Sequence, residues 1–174
     1  MRNQFLFCLS HKSYQQFLFE KQVKYSEENI TLNVMNRYEK KYFYHGTTVN
    51  LKVGDFLEPR PSYLLNNEKV VYGTPNRWLA LIFISRFNDD SLQHGFYDEV
   101  YTLEEMKPGV FDAMKNESGY IYKISSENFK NDSRLGLQGS EFISDKHKKI
   151  VGVEKIDNVY SELKKYSKIK WVFS

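Results

Sequence analysis

The stretch from Val70 to Phe87 constrains this chain more than any other. Val70-Val71-Tyr72 has the β-branched and aromatic texture of a short buried strand. Thr74 is a good N-cap, and Pro75 fits the first helical position, where its missing N–H has no intrahelical partner to lose. Trp78, Leu79, Ile82, Phe83 and Arg86 then follow helical spacing, while Leu81 and Ile84 carry apolar surface nearly all the way round. A helix that is apolar on every side belongs in an interior. The fold must bury the segment from Trp78 to Phe87.

Strand material surrounds it. Tyr42-Phe43-Tyr44-His45 is an aromatic run halted by Gly46, and Val53-Gly54-Asp55 reads as a turn. Pro59-Arg60-Pro61 forces extended or turn geometry on its neighbours. Residues 96–117 read as irregular, with a turn at Pro108-Gly109. Tyr120 to Ser125, Phe142-Ile143-Ser144 and Ile150 to Ile156 read as strands. Asp157 can cap a short helix carrying Val159, Tyr160, Leu163 and Tyr166, and Ile169 to Phe173 reads as a closing strand. The expected class is α+β, with strands dominating the second half. Aromatic residues make up 16% of the chain, which suits strands and also stacking on a flat ligand. For most of these rings the ordinary destination is the core.

At 174 residues the chain fits one domain. Residues 1–41 differ in texture, with an amphipathic helix expected over Ser13 to Lys24 and an alternating stretch at Ile30, Leu32 and Val34. The expected organisation is an N-terminal helical extension, 1–41, packed on a catalytic domain, 42–174. Net charge is +3, well short of a committed nucleic-acid binder. The lysine clusters at Lys40-Lys41, Lys146/Lys148/Lys149 and Lys164/Lys165/Lys168/Lys170 read as solvated surface with a weak pull on anionic partners. Cys8 is the single cysteine, which excludes an intrachain disulfide and suits a reducing compartment. The apolar run Phe5 to Leu9 around it is too short for a membrane span or a signal-peptide core. A soluble, cytoplasmic monomer is the expectation. His11, His45, His94 and His147 are scattered and make no zinc-ligand spacing with one cysteine. No Walker-type or G-x-G-x-x-G loop is present, which speaks against a P-loop or Rossmann site.

The residues that carry chemistry begin at His45. A histidine ending an aromatic strand, followed by glycine, sets an imidazole and backbone amides at a cleft edge, where glycine admits a close ligand. Alone, it reads first as a hydrogen-bonded strand-end histidine. The continuation matters: His45-Gly46-Thr47-Thr48, then Leu51-Lys52-Val53-Gly54-Asp55 and Leu57, then Val71-Tyr72-Gly73-Thr74-Pro75 before a buried helix. This pattern, over about Tyr42 to Ile156, resembles the ADP-ribosyltransferase superfamily. It is most similar to the small rifamycin-modifying ADP-ribosyltransferases, and more distantly to RNA 2'-phosphotransferases and the diphtheria-toxin-like group.

The resemblance implies a split β-sheet with short flanking helices and NAD as the substrate that donates ADP-ribose. It implies that His45 hydrogen-bonds a ribose hydroxyl, that Gly46 helps position the nicotinamide end with Thr47 as a polar neighbour, and that the Tyr72 ring stacks on nicotinamide. The third position is acidic, because cleaving the nicotinamide–ribose bond passes through an oxocarbenium-like state that a carboxylate stabilises. Glu141, in Gln138-Gly139-Ser140-Glu141-Phe142-Ile143-Ser144, is the candidate, with Asp132 as the competitor. Enzymes of the superfamily that modify arginine carry Glu or Gln two residues before the catalytic Glu; Gly139 stands there, which speaks against arginine as acceptor. Arg60, Arg77, Arg86 and Arg134 are candidates for the diphosphate, Arg60 first because it follows the first motif closely. The acceptor stays open among protein, nucleic acid and small molecule, and a bacterial or phage toxin or effector would suit so compact a domain. A catalytically silent NAD- or partner-binding module and an RNA 2'-phosphotransferase-like enzyme are the alternatives.

Overall fold

The computed structural model describes residues 41–85, 87, 90–97, 100–135, 140–166 and 169–173. By its internal contacts the chain divides into Met1–Glu39 and Lys40–Ser174. The helix expected at Ser13 to Lys24, the alternating stretch at Ile30 to Val34, Cys8, Arg86 and the Gln138-Gly139 loop lie outside the described residues. Among the described residues no helix is long and apolar enough to cross a membrane.

The second unit is mixed α+β. One antiparallel sheet has the order β1 (Tyr42–Thr47), β7 (Gly119–Ser125), β9 (Lys148–Ile156), β2 (Phe56–Leu57). A second, also antiparallel, has the order β3 (Arg60–Ser62), β4 (Glu68–Gly73), β8 (Phe142–Ser144). In the third, β6 (Val100–Glu105) lies between an antiparallel β5 (Leu92–Tyr97) and a parallel β10 (Ile169–Val172). The helices are short: α1 (Arg77–Ile82), α2 (Val110–Met114) and α3 (Val159–Lys164). The β5–β6 hairpin and α2 occupy much of the region read as irregular. Gln93, His94 and Gly95 have little strand propensity of their own, and it is pairing with Leu103, Thr102 and Glu104 that makes them a strand.

The buried helix is where the sequence puts it. Leu79, Ala80 and Leu81 are fully buried and pack with Leu103, Phe111, Met114, Ile156 and Leu163. It is shorter than expected and starts later, at an Asn76 N-cap rather than at Thr74. The reason is backbone accounting. Tyr44 N–H donates to Thr74 O at 2.8 Å and Thr74 N–H donates to Tyr44 O at 3.0 Å, so Thr74 is committed to a strand-type bridge. Its hydroxyl accepts from Asn76 N–H at 3.1 Å instead. Phe83 lies past the helix end and is partly exposed. At α3 the cap is Asn158, one residue after the expected Asp157, with Oδ1 accepting from Ser161 N–H at 2.7 Å.

A second core lies on the other face of β1, where Phe43 packs with Val71, Tyr122, Phe142 and Ile150. Lys148 is buried there, against the expectation for its cluster: its ammonium donates to Glu127 O and sits 4.6 Å from the Phe129 ring centroid. Burial pushes its pKa down. Alternation along β9 turns Lys148 inward and Lys149 outward, while Lys146 lies in the bend before the strand and is exposed.

Candidate functional site

The site is a fork. Strands β1 and β4 run antiparallel and touch at the single Tyr44/Thr74 bridge. Beyond it the ladder is not continued; instead the His45 imidazole spans the two strands, its Nδ1 2.9 Å from Tyr72 O. A carbonyl oxygen only accepts, so Nδ1–H is the donor. Burial lowers the His45 pKa below its ordinary 6.5, and the Arg60 charge pushes the same way, against the opposing pull of the Tyr72 hydrogen bond. His45 is therefore neutral near pH 7, with its proton on Nδ1 and Nε2 left as an acceptor.

A cavity of about 520 Å³ opens at this fork, inside the range of roughly 300–1,000 Å³ common for small-molecule sites. His45, Gly46, Thr47, Arg60 and Tyr72 all line it, so the tertiary structure brings together five candidates from three separated segments. The Tyr72 ring is held at its far end by a 2.5 Å hydrogen bond between its hydroxyl and Ser62 Oγ. Burial raises the Tyr72 phenol pKa, and the nearby charge of Glu141 adds to that. Thr47 Oγ1 accepts from Val49 N–H at 3.2 Å, which turns the chain just after β1.

Gly46 has a different reason from the expected one. A Cβ built on it would lie 1.7 Å from Ala80 O, so what approaches this glycine is the backbone of α1. Helix packing requires the glycine, whatever the cavity binds.

The arginines separate cleanly. Arg77 pairs with Glu154 and Glu162 and donates to Tyr166 OH at 2.8 Å. Arg134 is held between Glu68 at 2.7 Å and Asp132 at 2.7 Å. Among the described residues no acid forms an ion pair with Arg60, which is exposed on the cavity wall. The same geometry bears on Asp132, whose carboxyl is held far below the usual carboxylate range by the Arg134 side chain and backbone N–H.

Glu141 is half-buried and immediately precedes β8, where Phe142 pairs with Gly73. It is close enough to raise the phenol pKa values of Tyr72 and the buried Tyr101, yet it is not one of the residues that line the cavity. The carboxylate that does line it is Glu58, which the sequence reading passed over. A signal existed. In the stiff run Glu58-Pro59-Arg60-Pro61, extended geometry puts positions 58 and 60 on one side. Ser62 left no comparable signal, because its contact with Tyr72 depends on the β3–β4 pairing. Comparison of this chain with protein-family models, with curated proteins and with solved structures gives no significant match.

Proposed function

We propose that this protein is an NAD-dependent mono-ADP-ribosyltransferase, which cleaves the nicotinamide–ribose bond and passes ADP-ribose to an acceptor nucleophile. The observation that carries the reading is the neutral His45 at the fork, hydrogen-bonded through Nδ1 to Tyr72 O and lining a cavity shared with Tyr72 and an unpaired Arg60. Nε2, as an acceptor, suits a ribose hydroxyl, which must donate. The Tyr72 ring offers a face to nicotinamide, and the Arg60 guanidinium can take two diphosphate oxygens at once. In this reading the fork of β1 and β4 is the split of an ADP-ribosyltransferase-like sheet. Glu141, within electrostatic range of Tyr72, stabilises the positive charge that develops on the ribose as the bonding electrons leave with neutral nicotinamide. The acceptor gives up a proton as it attacks; water in that place yields free ADP-ribose.

A second reading, a silent NAD-binding module, is favoured by one observation: Glu141 does not line the cavity. Nicotinamide release from NAD by the purified protein separates the two. Turnover in the wild type that falls at least about a hundredfold in Glu141→Gln and little in Asp132→Asn supports the transferase. Binding of NAD without release of nicotinamide, whichever acceptor is supplied, leaves the module, and no binding of NAD ends both. Labelled NAD incubated with fractionated lysate then assigns the acceptor to protein, nucleic acid or small molecule, and with it a toxin or effector role.

A further inference from the structure

The rim of the cavity that follows β1 has an anchor outside the site residues already described. Tyr122 lies on β7 directly opposite His45, and opposed residues of an antiparallel pair project from the same face. Its ring is fully buried among Phe43, Val71, Phe142 and Ile150, and the Tyr120 ring lies nearly parallel to it at 6.2 Å. Strand β7 is flanked on both sides, by β1 and β9, so this ring stands on a fixed element. Its hydroxyl reaches out of the core to the irregular segment after Thr47. There it accepts from Leu51 N–H at 2.6 Å and donates to Val49 O. One phenol thus satisfies a backbone donor and a backbone acceptor that lie outside any strand. Thr48, Val49 and Leu51 line the cavity. Two other ties on this segment, Val49 N–H to Thr47 Oγ1 and Lys52 N–H to Asp55 Oδ2, are exposed and compete with water. Packing alone does not explain Tyr122, since phenylalanine would fill the same space.

We propose that the Tyr122 hydroxyl is a latch that fixes the Thr48–Leu51 rim, and that through this rim Tyr122 is a positioning residue for the bound dinucleotide. The inference rests on the NAD reading of the cavity. A latch acts on binding and leaves the bond-breaking step alone, so it predicts a split between KM and kcat. In Tyr122→Phe, KM for NAD should rise about tenfold while kcat stays within about twofold, and amide hydrogen exchange at Leu51 should accelerate. Phe43→Leu, a change in the same core, should lower the unfolding temperature and leave KM where it was. In the wild type Leu51 N–H should be protected from exchange although it belongs to no strand; an unprotected Leu51 overturns the latch without any variant. Faster exchange with unchanged KM, or equal losses in kcat and KM-dependent terms, also overturns it. A wild type with no affinity for NAD defeats the proposed function along with the positioning role, whereas the other outcomes defeat the latch alone.

Discussion

A neutral His45 is a condition of the fork as well as of the site, because a protonated imidazole would be buried between two strands beside the Arg60 charge. The folded pKa is lowered from 6.5, so on acidification the unfolded chain takes up the proton first. The stabilisation is complete above pH 6.5 and is lost as pH falls through that value toward the lower folded one. The unfolding free energy measured from about pH 8 to about pH 5 should therefore drop on the acid side, by about 1.4 kcal/mol for each unit of separation between the two pKa values. His45→Gln should flatten this component, and an undiminished acid slope in that variant would reassign it to another group. Removing the nearby cation has the opposite sign: Arg60→Ala should raise the His45 pKa toward 6.5, read from its imidazole NMR signals. The same change should weaken NAD binding about tenfold by calorimetry, since one bidentate phosphate partner is lost.

Two elements set the geometry around that histidine. Strand β1 carries Phe43 into one core and presents Tyr44 and Gly46 to the other, against α1. The helix rests so closely that Gly46→Ala would drive a methyl into the Ala80 carbonyl. Strand and helix would have to part, at a cost of about 3 kcal/mol, the upper part of the range for overpacking. Thermal unfolding should show it as a drop of about 10 °C. A variant of normal stability would mean that α1 can slide along β1. Packed against α1 in the same core, α3 depends on the Asn158 cap, and Asn158→Ala should cost about 1 kcal/mol in the same assay without touching NAD affinity.

At the scale of the whole domain, the described arginine candidates divide into those that hold elements together and the one left at the cavity. Arg77 joins the start of α1 to β9 through Glu154 and to α3 through Glu162, with its side chain 24% exposed. Arg77→Ala should lower stability by about 2 kcal/mol, the scale of charge-assisted hydrogen bonds in a partly buried setting, with NAD affinity unchanged. The contrast with Arg60→Ala, affinity lost and stability kept, tests the division directly. If the two variants behave alike, the assignment of Arg60 to the ligand has no basis.

Local chemistry fixed a good deal here. The apolar run at Leu79 to Ile82 had to be buried, and Val70 to Tyr72 and Tyr42 to His45 had to be strands, because composition and period are properties of adjacent residues. The α+β class follows from these segments alone. What adjacency cannot carry is pairing. The bridge between Tyr44 and Thr74 moved the start of α1 to Asn76, pairing with β6 made a strand of Gln93 to Gly95, and the folding of β3 back along β4 brought Ser62 Oγ to the Tyr72 hydroxyl. Gly46 lines the cavity, but no local signal told that the Ala80 carbonyl, thirty-four positions along the chain, also packs against it. His45, Arg60 and Tyr72 were legible as residue types worth noting. That they face one cavity, that Arg60 alone of the described arginine candidates is unpaired, and that Glu58 rather than Glu141 lines the wall were decided in three dimensions. A side chain's partners depend on which backbone segments lie beside it, and only the folded chain sets that.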